Sequence, residues 1–125
     1  MKEIITTASA PKAIGPYSQA LVHDGIVYCS GQIGLDPDTM EFAGSTVEVQ
    51  TEQVMRNLAA VLDAAGSGFD KVLKCTIFLA DMSDFATVNT IYGRHFPENP
   101  PARETVAVKT LPKGGLVEIG CVAFR

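Results

Sequence analysis

One arginine and one carboxylate stand where core-building alone would put neither: Arg103 in Pro100-Pro101-Ala102-Arg103, and Glu118 within Leu116-Val117-Glu118-Ile119-Gly120-Cys121-Val122-Ala123-Phe124. A charge inside a strand-like segment must face water, find a partner or shift its pKa, because desolvating it unpaired costs roughly several kcal/mol. Two prolines stiffen the approach to Arg103, and its planar fork can grip a carboxylate by two charge-assisted hydrogen bonds of about 1.5–3 kcal/mol each. On its own side of a strand, Glu118 is the only polar group among Leu116, Gly120, Val122 and Phe124. Partial desolvation there should raise its pKa toward the range useful for moving protons near neutrality. A small acid between the two would satisfy the arginine and leave the glutamate free as a proton carrier. The plainer readings are a surface arginine after a loop and an exposed glutamate on the polar side of a half-buried strand.

Tyr17 in Gly15-Pro16-Tyr17-Ser18 and Ser30 in Cys29-Ser30-Gly31-Gln32-Ile33-Gly34 fall at strand ends, where a loop can present hydroxyls to a cleft. Turn chemistry explains them almost as well. No Gly-x-Ser-x-Gly elbow is present, and neither His23 nor His95 sits in a triad pattern, so nucleophilic serine catalysis is disfavoured. Gly31-Gln32-Ile33-Gly34 has the outline of an RNA-binding GxxG loop but lacks basic company. Zinc and magnesium spacings, Walker glycines and dinucleotide fingerprints are all missing, so neither a metal nor an organic cofactor is expected.

The 125 residues fit a single domain, residues 1–125, with 46% hydrophobic content for one core. Ten basic against fourteen acidic residues give a net charge of -4, which argues against a broad grip on nucleic acid or an anionic membrane. Cys29, Cys75 and Cys121 are odd in number, far apart and embedded in apolar segments, and are expected to be reduced core residues. The N-terminus lacks a long apolar signal and no stretch approaches a membrane span, so a soluble cytoplasmic protein is expected.

The elements that position these groups follow from periodicity. Lys2 to Thr6 reads as a short edge strand, and Ala20-Leu21-Val22-His23 and Ile26-Val27-Tyr28-Cys29 flank Asp24-Gly25, a type I′ hairpin signal. A loop occupies Gly31 to Gly44, with a short extended piece near Ile33. Ser45-Thr46-Val47-Glu48 reads as a capping box opening a helix whose stripe is Val47, Thr51, Val54, Leu58, Val61 and Ala65, widened by Met55 and Leu62 and stopped at Gly66. Val72 to Leu79 suits a strand. Ser83 is expected to cap a second helix with Phe85, Val88, Ile91, Tyr92 and Phe96 as a core stripe ended by Pro97. Glu104 to Val108 and Leu116 to Phe124 close the order β-β-β-α-β-α-β-β. The prediction is a two-layer α+β sandwich, a mixed sheet of about six strands with both helices on one face. The other face is also largely apolar and needs shielding, most simply by further copies of the chain. If the last two strands pair as a hairpin, a gap of order 10 Å separates Arg103 from Glu118. A small molecule or a neighbouring subunit could occupy that interval, and a one-residue slip would put the two on opposite faces.

The whole chain resembles the RidA/YjgF family of enamine and imine deaminases. The blocks that carry the resemblance, in family order, are Ala13-Ile14-Gly15-Pro16-Tyr17-Ser18-Gln19-Ala20, Ser30-Gly31-Gln32-Ile33-Gly34, Asp84-Phe85-Ala86-Thr87-Val88-Asn89-Thr90-Ile91-Tyr92, Pro101-Ala102-Arg103 and Leu111-Pro112-Lys113 followed by Val117-Glu118-Ile119. The resemblance implies a chorismate-mutase-like homotrimer with ligand clefts between subunits. It implies that Arg103 binds the substrate carboxylate, that Glu118 positions or activates water, and that Tyr17, Ser30, Gly31 and Asn89 shape the pocket. It implies as substrates the reactive 2-enamino and 2-imino acids such as 2-aminoacrylate and 2-aminocrotonate, converted to 2-keto acids and ammonia. Two positions depart from the family pattern. Thr105 stands where many members have a cysteine, leaving a hydroxyl or backbone contact as its share of the pocket, and Gly120 stands where many have a second glutamate, giving room beside Glu118. A carboxylate-binding regulatory protein with little catalysis is the alternative, and an endoribonuclease or translation inhibitor a weaker one, against which the charge counts.

Overall fold

The computed structural model describes residues 1–125, and its elements come in the expected order. Strands β1 (Glu3–Ile5), β2 (Ala20–His23) and β3 (Ile26–Gln32) precede helix α1 (Val47–Ala64); β4 (Val72–Leu79), helix α2 (Phe85–Gly93), β5 (Ala102–Ala107) and β6 (Val117–Phe124) follow. Asp24 and Gly25 both take positive φ, as a type I′ turn requires. The six strands form one mixed sheet in the order β1-β2-β3-β6-β4-β5. Val27, Ile77, Leu79, Val117 and Ile119 from its helix side close on Val54, Met55, Leu58, Val61 and Leu62 of α1 in one core. No helix is long and apolar enough to cross a membrane.

Three local expectations are corrected. The cap of α1 is Thr46, whose hydroxyl accepts from the Val49 amide at 3.2 Å. The helix thus opens at Val47, a core residue, and three positions past the cap stands Val49, which cannot return the hydrogen bond of a capping box. Ser83 does not cap α2. Its amide instead donates to the Asp81 carboxylate at 2.8 Å, closing a short 3-10 turn that delivers the chain into Phe85. The last two strands are not a hairpin. Because α2 intervenes between β4 and β5, those two strands are joined by a crossover and lie parallel, leaving β5 at the sheet edge. β6, with Val117, Ile119, Cys121 and Ala123 all buried, runs antiparallel between β3 and β4.

Buried polar side chains tie the loops to this frame. Asn57, fully buried on α1, donates to the carbonyls of Ile33 and Leu35 at 3.2 and 2.9 Å and accepts from Gln53 at 2.8 Å. Gln50 donates to Gly44 and accepts from the Leu116 amide. Gln19 reaches back to the backbone of Thr7, Ala10 and Pro11, fixing the N-terminal loop over the end of β2. The helix-free face keeps exposed Ile4, Tyr28, Val106 and Phe124, a row of apolar side chains that nothing in the protomer covers.

Candidate active site

Register decides which face each candidate side chain takes. Arg103 pairs with Cys75, and Cys75 pairs with Cys121, so Arg103 points to the helix side. Glu118 pairs with Phe78 and points to the open side. The two therefore lie on opposite faces of one protomer, three residues apart along β4 and two strands across, roughly 14 Å between backbones. The gap expected from a hairpin is replaced by a sheet between them.

Glu118 is half-buried, and burial alone raises its carboxyl above the ordinary 4.5. Its carboxylate lies over Gly31, where a Cβ would come within 2.5 Å of Oε2. The β-bulge between Cys29 and Gln32 brings that glycine to the spot. Gly120, also on the open face, leaves that approach clear, since a Cβ there would stand 3.3 Å from the Gly31 backbone. Two hollows meet at Gly31 and Glu118. One, of about 390 Å³, runs past Thr76, Phe78 and Gly120 along the open sheet face. The other, of about 530 Å³, is walled by Ile14, Tyr17, Ser30, Ile33 and Leu35 with Lys12 and Lys113 among its lining. The Ser30 hydroxyl donates to the Ser18 carbonyl at 2.6 Å, and the Tyr17 hydroxyl accepts from the Ile14 amide at 3.3 Å. Tyr17, Ser30, Gly31 and Glu118 thus come together as one group.

Arg103 belongs to a second group. Its Nη1 donates to Asn89 Oδ1 at 2.6 Å, and its Cζ stands 5.1 Å from the Tyr92 ring centroid and 5.6 Å from that of Phe85. It makes no ion pair within the chain. The cradle opens into a hollow of about 460 Å³ with Phe96, Pro100 and Pro101. Thr105, on the same side of β5, has a buried hydroxyl without a hydrogen-bond partner, and so does Tyr92. Phe85 and Tyr92 read as pure core from their spacing, yet they also form the arginine's seat. The signal was the spacing of four and three that puts Phe85, Asn89 and Tyr92 on one helix face.

Cys29, Cys121 and Cys75, remote in sequence, occupy one row across β3, β6 and β4 and are free thiols. Burial holds the Cys75 thiol above its ordinary range, and the Cys29 contact together with burial does so for Cys121. Neither is an activated nucleophile. No three His, Cys, Asp or Glu side chains gather as a metal site.

The six-stranded sheet with two helices matches solved structures end to end. The chain superposes on the structure of Escherichia coli TdcF with bound serine at a TM-score of 0.93, 38% identity and 98% coverage of each chain. The family model described as Endoribonuclease L-PSP matches residues 7–125. A RutC family protein of Synechocystis is 54% identical over 123 residues, 97% of this chain and 95% of that one. The human 2-iminobutanoate/2-iminopropanoate deaminase is 46% identical over 125 residues, 100% of this chain and 91% of that one. The chain belongs to this Endoribonuclease L-PSP, or RutC/RidA, family, which at the family level supports a deaminase reading.

Proposed function

We propose that the protein is a cofactor-independent 2-iminobutanoate/2-iminopropanoate deaminase that hydrolyses 2-imino acids, formed from their enamine tautomers, to 2-keto acids and ammonia in the cytoplasm. The observation that carries this reading is Arg103: a seated guanidinium with one of its five donors used and no carboxylate partner in the chain. A substrate carboxylate would take the remaining fork. Tyr17, Ser30, Gly31 and Glu118 would enclose the imine carbon, with Asn89 and Thr105 contacting the carboxylate end. Because the two groups lie on opposite faces of one protomer, the reading needs Arg103 of one copy to meet Glu118 of the next. A head-to-tail homotrimer joins them in that way and covers the apolar open face.

In this site Glu118 takes a proton from water as the water oxygen bonds to the C=N carbon and hands that proton to the nitrogen, which gives the carbinolamine and restores the carboxylate. The carbinolamine then collapses: Glu118 takes the hydroxyl proton and delivers it to the amine as C–N breaks and C=O forms, so ammonia leaves and the carboxylate is restored. Arg103 fixes the substrate so that water meets the carbon at bonding range. The test generates 2-aminocrotonate with a threonine dehydratase and follows 2-ketobutanoate. Arg103→Ala should raise KM tenfold to a hundredfold, as a lost charge-assisted bond of about 1.5–3 kcal/mol implies. Glu118→Ala should lower kcat about a hundredfold or more, and equal rates for all three proteins would remove the site. A carboxylate-binding protein with little turnover would bind 2-ketobutanoate without accelerating hydrolysis, and an endoribonuclease would instead bind RNA with steep salt dependence.

A further inference from the structure

We infer that Tyr92 and Phe85 are positioning residues that hold the Arg103 guanidinium in its carboxylate-binding pose through their ring faces, an inference that rests on Arg103 being the substrate anchor. A free arginine has many rotamers, and a ligand that binds it must first order it. Here the ordering is built in. Helix α2 presents Phe85, Asn89 and Tyr92 along one side, and the guanidinium carbon lies within cation–π range of both rings while Asn89 fixes its in-plane rotation. Tyr92 cannot drift, because it is 4% exposed and its ring packs at 4.7 Å on Phe96, which in turn meets Phe69 edge-on at 5.4 Å. A chain of aromatic contacts therefore runs from the core to a guanidinium that has no carboxylate partner.

The ring and not the hydroxyl carries this role. The Tyr92 hydroxyl is buried with no hydrogen-bond partner of good geometry and only the weakly bonding Cys75 thiol beside it, so removing it breaks little and relieves a desolvated group. Burial first, and the adjacent Cys75 thiol second, push the phenol far above its ordinary pKa, so it stays neutral and offers Arg103 no anion.

The test compares Tyr92→Phe, Tyr92→Leu, Phe85→Leu and Arg103→Ala for 2-ketobutanoate binding by calorimetry, steady-state imine hydrolysis and thermal melting. Tyr92→Phe should keep Kd and KM within about twofold and melt at or above the wild-type temperature. Tyr92→Leu and Phe85→Leu should raise Kd and KM together about fivefold with kcat little changed, the pattern of lost uniform binding. A residue that merely supports the fold would lower the melting temperature and kcat with KM untouched, and that result overturns the inference. So does Tyr92→Phe losing as much affinity as Tyr92→Leu. If Tyr92→Leu does not fold, the half-buried Phe85 decides: wild-type Kd and KM in Phe85→Leu overturn the inference. Weak binding by Arg103→Ala with intact Leu variants defeats the cradle alone, whereas undiminished binding by Arg103→Ala defeats the anchor reading and the cradle with it.

Discussion

At the scale of single residues the site turns on how two charges are kept. Arg103 is held exposed and ready, while Glu118 is partly withheld from water with its carboxyl raised above 4.5 by burial. A raised carboxyl pKa means that the folded chain binds this proton more tightly than the unfolded one. Stability from this group therefore falls as pH rises from 4.5 through the folded pKa, and the cost is complete above it. Glu118→Gln removes that cost while keeping the shape. Its melting temperature should exceed that of the wild type at pH 7, the difference closing as the pH drops below 4.5, while activity falls about a hundredfold. A Gln variant that melts at the wild-type temperature across this range would mean that the carboxylate is not desolvated. Glu118 was recognisable from sequence because it alone breaks an apolar run, whereas the use of Phe85 and Tyr92 was hidden: an aromatic at core spacing looks the same whether it packs on leucine or on a guanidinium.

At the scale of elements, what shapes the hollow is the seating of loops on α1. The stripe of apolar residues located that helix, but it says nothing of Gln50, Gln53 and Asn57, polar residues just as buried, which hold the loop after β3. Gly34 lies so close to the helix that a Cβ would stand 2.8 Å from the Gln50 Cα, so the loop and helix approach backbone to backbone. Asn57→Ala should cost about 2–3 kcal/mol, because it leaves two loop carbonyls and the Gln53 amide without partners in a dry site. Denaturant unfolding with an unchanged slope checks this, and a loss below 0.5 kcal/mol (about the scatter of an exposed substitution) would show that water replaces the network. The helix starts were misjudged by one or two residues for a related reason. Ser45, Thr46 and Ser83 are all competent caps, and only the packing of Val47 and Phe85 selects the register.

At the scale of the whole molecule, the order of elements and the two-layer architecture could be read from the chain, and Arg103 and Glu118 could be singled out there as the candidates for chemistry. Strand adjacency could not. The alternating pattern of β6 fits a hairpin with β5 as well as a place between β3 and β4, and sequence carries no local signal to choose. That one choice puts Arg103 and Glu118 on opposite faces and, in the function proposed above, would make each protomer the holder of two half-sites. The open face, with Tyr28, Val106 and Phe124 exposed, offers the apolar surface on which neighbouring copies would pack.

The most direct test of shared sites is to mix subunits that are each impaired at a different residue. Arg103→Ala and Glu118→Gln subunits, unfolded together in equal amounts and refolded, restore one native pairing wherever an intact Arg103 faces an intact Glu118. With substrate held well below KM, random assembly predicts about a quarter of wild-type deaminase activity from two preparations that separately show about a tenth or less. Activity of the refolded mixture no greater than the average of the two variants would contradict the account.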